Sequence, residues 1–214
     1  LVPDRHTLKR ILRIGIPNLL ESAGGTWLAT FIVLIFVGWL EGEGLVGSHM
    51  IAIRIESYSF QPGFAFGVAA STLVGQYLGL GDSKRAGKAI ALSWGFAVAL
   101  MGAIGVVFIT IPAPFAWIFT NNQTLIDQII PLVRICGTIQ IFFATYLVVS
   151  FALKGAGDTK TAMKLTYTSV FLVRVPGAYL LAFPLGLGLI GIWLAFFADL
   201  VVKSLLFTGR YFEG

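Results

Sequence analysis

Six apolar segments, each long enough to cross a lipid bilayer, occupy most of this 214-residue sequence. A spanning helix needs about 20 apolar residues to cross a hydrocarbon core of about 30 Å. Only 12% of the residues are charged, about half the share found in a soluble domain. The sequence therefore predicts an all-α membrane fold, a six-transmembrane-helix bundle that forms a single lobe over residues 1–214. We place its helices near residues 14–39, 46–78, 86–111, 124–153, 161–183 and 186–208.

Proline residues interrupt four of these segments. The second segment is too long for one straight span, and Pro62 predicts a kink there because proline removes a backbone donor and clashes with the preceding turn. Pro17, Pro131 and Pro176 are expected to interrupt the first, fourth and fifth segments in the same way.

A short polar motif, G-x-G-D-[ST]-K-x-A-x-K, occurs twice between apolar segments, at Gly79–Lys88 and at Gly155–Lys164. Its glycines favour a helix end with a left-handed turn, and its Asp-Ser or Asp-Thr favours the capped start of the next helix. Each copy therefore predicts a tight helix–loop–helix corner. The first copy fails the pattern of a phosphate-binding loop, because five residues separate Gly81 from Gly87 and Ala89 follows the lysine.

Basic residues are concentrated in alternate loops. By the positive-inside rule these loops are cytoplasmic, which places both termini and both corners in the cytoplasm. The other loops carry Glu41, Glu43 and Asp127 and no basic residue. The cytoplasmic set is Arg5, Lys9, Arg10, Arg13, Lys84, Arg85, Lys88, Lys154, Lys160, Lys164, Lys203 and Arg210.

Six further charges lie within the predicted spans and sum to zero. A charge in hydrocarbon is unfavourable unless it is paired or hydrated, so we expect all six to face the bundle interior or a water-filled cavity. Asp199 and Lys203, spaced i, i+4 with the acid first, predict a helical ion pair. The six charges are those of Glu21, Arg54, Glu56, Arg134, Arg174 and Asp199.

Polar residues form one stripe on the first helix, with Asn18, Glu21 and Ser22 at positions i, i+3 and i+4. A carboxylate there could titrate, bind a cation or meet a cationic substrate. Alternatively, it could be a buried partner for an arginine or for helix-end N–H groups. We take these three residues, with Arg174 and Asp199, as the candidates for a substrate cavity or a cation-coupling site.

Small residues recur every four positions along the second segment. A small-xxx-small stripe lets another helix approach closely, which is how helices associate where lipid is as apolar as leucine. The stripe predicts a helix-packing surface, either fixed or sliding within a moving bundle. Its members are Gly63, Gly67, Ser71, Gly75 and Gly79.

The sequence shows no nucleophile with a matching base and no spacing of metal ligands. Its single cysteine, Cys136, excludes an intrachain disulfide. The net charge of +5 is distributed among the topology signals rather than over a nucleic-acid surface. We therefore predict no enzyme, no metal site and no nucleic-acid partner.

Four stretches of the chain resemble the multidrug and toxic compound extrusion (MATE) transporters: Gly15–Glu21, Ile51–Glu56, Val74–Asp82 and Ala152–Thr159. The resemblance covers nearly the whole chain but only one half of such a transporter. MATE proteins have twelve helices in two six-helix lobes related by pseudo-twofold symmetry, with the substrate cavity between the lobes. The chain resembles the C-terminal lobe, helices seven to twelve.

The resemblance implies secondary active multidrug efflux, in which inward movement of Na⁺ or H⁺ drives export by alternating access. The implied partners are an N-terminal six-helix lobe, the lipid bilayer and hydrophobic or cationic small molecules. No cofactor beyond the coupling ion is implied, and the implied location is the cell (inner) membrane, crossed several times. A flippase for a lipid-linked precursor and a non-transporting six-helix scaffold subunit are the alternatives.

The resemblance departs from the family at two positions. Some members carry cation-binding acids in the seventh and tenth helices, and the matching positions here fall near Trp27 and Phe143, which carry no carboxylate. Glu21 instead matches an acid that is common near the start of the seventh helix. Other members place the coupling carboxylate in the N-terminal lobe.

Overall fold

The computed structural model describes residues 4–213 and, within them, all side chains except those of Arg5, His6, Thr7 and Arg10. The basic residues Arg5 and Arg10, which we counted for the topology, therefore lie outside the described side chains. Across residues 4–213 the chain forms helices and no strand. The predicted all-helical fold class is confirmed.

Ten α-helices and two π-helical segments make up residues 4–213. The π segments are Glu21–Leu28, which joins α1 to α2, and Val170–Arg174, which joins α8 to α9. The α-helices are α1 (Arg5–Leu20), α2 (Ala29–Trp39), α3 (Leu45–Ser59), α4 (Gln61–Gly79), α5 (Ser83–Thr110), α6 (Ala113–Trp117), α7 (Gln123–Gly155), α8 (Thr159–Ser169), α9 (Val175–Ala182) and α10 (Gly188–Glu213). These elements cover all six predicted segments, and the short helix α6 is additional.

The second predicted segment, 46–78, is two helices rather than one kinked span. The chain bends at Phe60 between α3 and α4, and Pro62 lies in the first turn of α4, where its missing N–H leaves no hydrogen bond unmade. The expectation that Pro131 interrupts its segment is wrong, because α7 runs through it for 33 residues. Such a proline is tolerated where neighbouring groups satisfy the freed backbone carbonyl.

Five helical stretches of the described chain are long and apolar enough to cross a membrane. Each corresponds to one predicted segment, and the divided segment 46–78 is not among them. A multi-pass membrane protein follows from this set. The five are Ile11–Trp39, Ser83–Thr110, Gln123–Gly155, Thr159–Ala182 and Gly188–Glu213.

Helix α7 lies at the centre of the lobe and packs against α3, α4, α5 and α10. Small residues permit its closest crossings, since a Cβ on Gly137 would stand 2.7 Å from the backbone oxygen of Gly105 in α5. Its buried face contributes to both large apolar clusters, through Ile129 and Leu132 in one and Ile139 and Ala144 in the other. The remaining helices are therefore positioned around α7.

Both copies of the repeated motif form the predicted corner. Gly81 and Gly157 adopt left-handed φ angles of 75° and 89°, which only glycine adopts without strain. Asp82 starts α5 by accepting a hydrogen bond from the backbone N–H of Arg85 at 3.0 Å. Asp158 instead accepts from the Nε of Arg210 at 3.0 Å, so the second corner is joined to the end of α10.

The corner contact at Asp158 is expected to weaken in acid. Partial burial raises the pKa of Asp158, but the Thr161 hydroxyl and the Arg210 guanidinium together lower it by more than burial raises it. The pKa of Asp158 therefore lies below its ordinary value. A lowered folded-state pKa stabilises the protein above the unfolded pKa of about 3.9, and this contribution is lost as pH falls through the folded value. Exposed pairs contribute only about 0.2–1 kcal/mol. Thermal unfolding followed from neutral to acidic pH should show a shallower acid limb in Asp158→Asn, and an unchanged limb would contradict this.

Candidate functional site

A cavity of about 380 Å³ brings together the polar stripe of the first helix and residues from α4 and α7. Asn18 and Ser22 line it, and Ser71 of α4 and Lys154 of α7 face them. Glu21 lies beside the cavity, because its carboxylate binds the Lys154 ammonium. We call this the Glu21 cavity, lined by Ile14, Asn18, Ser22, Ser71, Phe151 and Lys154.

Glu21 is a buried carboxylate with two close donors. Its side chain is almost fully enclosed, with 4% of the residue exposed. Oε1 accepts from the Nζ of Lys154 at 3.0 Å and from the hydroxyl of Thr166 at 3.1 Å. A carboxylate held by one cation and one hydroxyl is compensated in a medium of low dielectric. The structure thus favours the ion-pair interpretation of Glu21, with a lysine in place of the arginine we expected.

The π segment Glu21–Leu28 determines how this acid is presented. Gly24 and Gly25 let α8 approach so closely that a Cβ on Gly25 would stand 2.9 Å from a Thr166 methyl carbon. The wider turn frees a backbone carbonyl, and the Tyr167 hydroxyl donates to the oxygen of Leu20 at 2.9 Å. Segments of π-helix are often found at functional sites. Here the segment seals Glu21 against α8.

Two buried oxygens beside the Glu21 cavity have no hydrogen-bond partner among the described residues. They are Oε2 of Glu21 and Oδ1 of Asn18. An unmatched buried acceptor is unfavourable by about 1–3 kcal/mol. Both oxygens can accept from a cationic or hydrogen-bonding ligand, or from water. The site can therefore bind a cation or a hydrogen-bond donor through these two oxygens.

Asp199 and Lys203 form the predicted helical pair, with Nζ 2.7 Å from Oδ2. The hydroxyl of Ser169 donates to Oδ1 at 2.5 Å. Thr166 and Ser169 lie one turn apart on α8, so this helix serves both buried acids from one face. Asp199 is nevertheless separate from the Glu21 cavity and does not line it.

Arg174 is the last residue of the second π segment. Its guanidinium carbon stands 4.5 Å from the centre of the Phe196 ring. It lines a small cavity together with His49 and Glu56 of α3. Arg174 therefore lines a cavity separate from the Glu21 cavity, and no ion pair joins it to Glu21 or Asp199 in the described part of the chain.

We expected the six charges to face the bundle interior or a water-filled cavity, and Arg54 and Arg134 do not face the interior. Both side chains are exposed on the surface of the lobe. Arg54 lies one turn from the exposed Tyr58 on α3. Long basic side chains at such positions can extend their charge toward water while their stems cover apolar surface.

Sequence reasoning missed the partners of Glu21. Lys154 was assigned to the cytoplasmic corner, and Thr166 was not considered. Lys154 is 133 residues from Glu21, so no local spacing could have joined them. The one available signal was that Lys154 precedes the first glycine of the second motif and so still belongs to the helix.

The stripe of small residues on α4 faces two helices, α5 at Met101 and α7 along most of its length. A Cβ on Gly63 would stand 2.9 Å from Leu147 of α7, and one on Gly67 would stand 3.0 Å from Phe151. A Cβ on Gly75 would be 3.4 Å from the oxygen of Gly155, which itself lies against Ser71. Gly79, at the end of α4, has open space around it.

Membrane-length helices that enclose paired charges and unmatched acceptors define a multi-pass membrane protein of the transporter class. Residues 20–180 match the MatE family model. The chain belongs to the MATE family, which is a family of transporters rather than enzymes. The resemblance found in the sequence is thereby confirmed.

Curated relatives are named as multidrug resistance proteins NorM and are about twice as long as this chain. The chain is 32% identical over 208 residues to a probable multidrug resistance protein NorM of Thermotoga maritima, covering 96% of this chain and 44% of the relative. It is 26% identical over 212 residues to the multidrug resistance protein NorM of Aliivibrio fischeri, covering 97% of this chain and 46% of the relative. The chain thus spans about half the length of these relatives.

Solved structures share the fold over the same half. A MATE structure in the bent conformation matches with a TM-score of 0.89 and 21% identity, over 99% of this chain and 47% of that one. A eukaryotic MATE transporter, AtDTX14, also matches with a TM-score of 0.89 and 21% identity, over 98% and 47%. The prediction that the chain forms half of a larger transporter fold is consistent with both.

Proposed function

We propose that this chain is the C-terminal lobe of a secondary transporter that exports hydrophobic or cationic compounds in exchange for Na⁺ or H⁺. An N-terminal six-helix lobe completes the protein, and substrate binds between the lobes, which alternate in exposing the cavity to each side. The transporter lies in the cell (inner) membrane with both ends of this lobe in the cytoplasm. Within this lobe, Asn18, Glu21 and Ser22 are the groups that meet a cation or a substrate.

One observation carries the proposal: the unmatched oxygens of Glu21 and Asn18 lie beside an accessible cavity in a chain of the MATE family. Cavities at the interface of two repeats are where transporter folds place their substrates. The curated relatives are named as multidrug resistance proteins over the same region. Hydrophobic and cationic compounds suit acceptor oxygens flanked by apolar residues such as Ile14 and Phe151.

A flippase for a lipid-linked precursor is expected to hold its pyrophosphate in a strongly cationic cavity. In the Glu21 cavity, the one ammonium of Lys154 is already paired with Glu21. This balance favours cationic or neutral substrates over a pyrophosphate. A scaffold subunit, by contrast, would transport nothing even when joined to its other lobe.

Glu21→Gln is expected to slow efflux of ethidium from energised vesicles that contain the full-length protein by about tenfold, because a charge-assisted hydrogen bond contributes about 1.5–3 kcal/mol. The amide keeps the shape of the side chain but removes the charge that pairs with Lys154. The initial rate of fluorescence change, measured over several pH values, reports the effect.

The matched control is Asp82→Asn, which removes the charge of an exposed pair with Arg85 at the first corner. It should leave efflux unchanged. Glu21→Gln vesicles that export as fast as the wild type at every pH would exclude Glu21 from the site. Wild-type vesicles that export neither ethidium nor other hydrophobic cations would count against the proposed function itself.

A further inference from the structure

Three acidic residues are buried among the described residues, and two of them have a basic partner in contact. Glu21 is paired with Lys154 and Asp199 with Lys203. Glu56 is 9% exposed, yet no ion pair or side-chain hydrogen bond joins its carboxylate to another described residue. Among the buried acids of the described residues, Glu56 is therefore the one whose charge is not compensated by contact.

Arg174 is the basic residue that lines the same cavity as Glu56, and one of its N–H groups also lacks a partner among the described residues. Its Nε is buried and has no hydrogen-bond partner among the side chains that the structure describes. Arg174 and Glu56 line the same cavity of about 20 Å³. A space of that size holds about one water molecule. The two charged residues thus line one small cavity without forming an ion pair within the described part of the chain, an arrangement that we call the open pair.

The other residues that line this cavity are apolar or already hydrogen-bonded to each other. Trp193 donates from Nε1 to the Nδ1 of His49 at 3.2 Å, so a neutral His49 carries its proton on Nε2. Phe196 covers the guanidinium of Arg174 from the α10 side. Inside this wall, the carboxylate of Glu56 is the acceptor that remains for an incoming proton.

We propose that Glu56 is the proton-binding carboxyl of this lobe, a deepening that rests on the proposed function. A proton from water on one side of the membrane forms an O–H bond with the Glu56 carboxylate. The same bond breaks when the proton leaves to water on the other side, so no other reactant is needed. Arg174 stabilises the ionised carboxylate and loses its counter-charge when Glu56 is protonated.

The open pair suits a proton better than a metal ion. A cation such as Na⁺ would have to sit beside the positive guanidinium of Arg174, and it would need several oxygen ligands in a space for one water. A proton needs only the carboxylate. Because protonation leaves Arg174 unbalanced, it changes the electrostatic attraction between α3 and the π segment Val170–Arg174. This gives proton binding a direct effect on how the two elements pack.

Two other titratable residues of the lobe core, Cys136 and Asp199, already have a hydrogen-bond or ionic partner. Cys136 of α7 accepts from the Gln140 amide at 3.3 Å, behind Ser59 of α3. Asp199 of α10 is matched by Lys203. Helix α2 contributes only Val33 to the cavity wall. His49 and Glu56 of α3 and Arg174 of the π segment are thus the charged or titratable lining groups.

The test uses the purified full-length transporter in a weakly buffered detergent solution with a pH indicator. Adding ethidium to the wild type should release about one proton per ethidium bound, as linkage to a single carboxyl requires. Glu56→Gln should bind ethidium but release at least about fivefold fewer protons. Glu41→Gln, which alters an exposed acid of the loop after α2, should behave as the wild type does.

Infrared difference spectra between acidic and neutral pH give a second readout that needs no substrate. The carbonyl band of a protonated carboxyl should be present in the wild type and in Glu41→Gln, and its main component should be lost in Glu56→Gln. Glu56→Asp keeps a carboxyl and should retain the band at a shifted position, which covers the case in which the glutamine variant fails to fold.

Unchanged proton release or an unchanged band in Glu56→Gln would overturn the proposal. If the wild type binds no ethidium, the proposed function fails for that probe, while the infrared band still decides the role of Glu56. A wild type that releases protons on binding ethidium, with release equal in Glu56→Gln, would retain the transporter and reject this carboxyl.

Discussion

Replacing Asp199 by alanine is expected to destabilise the folded protein by about 3–5 kcal/mol, because it leaves one partner of a buried ion pair uncompensated. Asp199 is fully buried and Lys203 is 5% exposed. The substitution leaves the Lys203 ammonium without its acceptor at 2.7 Å, whereas the Ser169 hydroxyl loses the carboxylate but keeps the backbone oxygen of residue 199 at 3.2 Å. The ring of Tyr146, 5.5 Å from the ammonium, offers only a weak cation–π contact in exchange. Thermal unfolding of the purified full-length protein in detergent measures the loss.

A double replacement separates the lost pair from the stranded charge. Asp199→Leu combined with Lys203→Met should recover most of the stability, since apolar residues of similar volume often replace a buried ion pair without loss. Asp82→Asn, which removes the charge of the exposed pair with Arg85 but keeps the oxygen that caps α5, should change stability by less than about 1 kcal/mol. If Asp199→Ala unfolded at the wild-type temperature, Lys203 would have reached water, and the hydrogen bond from Ser169 of α8 to Asp199 would not be holding α10 in place.

The Asp199–Lys203 pair was predictable because both residues lie on one helix at a spacing that brings their side chains together. The corners and their left-handed glycines were predictable for the same reason, since each depends on a few consecutive residues. The Glu21 site was only half predictable. Its acid stands on the first helix, but its hydroxyl donor, Thr166, is 145 residues away, and only the folded packing of α1 against α8 joins them.

The positions of Arg54 and Arg134 show where the energetic argument was insufficient. The unfavourable burial of a charge in hydrocarbon requires that it be paired or hydrated, but it does not state which surface provides the water. On a lobe that is half the length of its relatives, an exposed position can face lipid headgroups, water or another lobe. The π segments were also outside the reach of sequence patterns, because they depend on contacts such as that of Gly25 with Thr166.

Gly155→Ala is expected to destabilise the protein by about 1–3 kcal/mol, the usual range for overpacking a tight contact. At the end of α7, a Cβ on Gly155 would overlap the carbonyl oxygen of Ser71 and stand 2.8 Å from its Cα. Both atoms are backbone, so relief requires that α4 and α7 move apart rather than that a side chain turn. Thermal unfolding in detergent gives the loss of stability, and ethidium efflux tests whether the neighbouring Glu21 cavity is disturbed.

Gly79→Ala provides a matched control, because Gly79 occupies the same position in the first copy of the motif that Gly155 occupies in the second. Open space surrounds Gly79, and its φ angle is not in the left-handed region. Alanine there should leave stability unchanged or raise it by about 0.4–1 kcal/mol by restricting the unfolded chain. Equal effects of the two substitutions would mean that the motif itself, rather than the crossing of α4 and α7, requires the glycine. A loss of stability is expected only for Gly155→Ala. The two glycines occupy equivalent motif positions, but of the two only Gly155 lies against another helix.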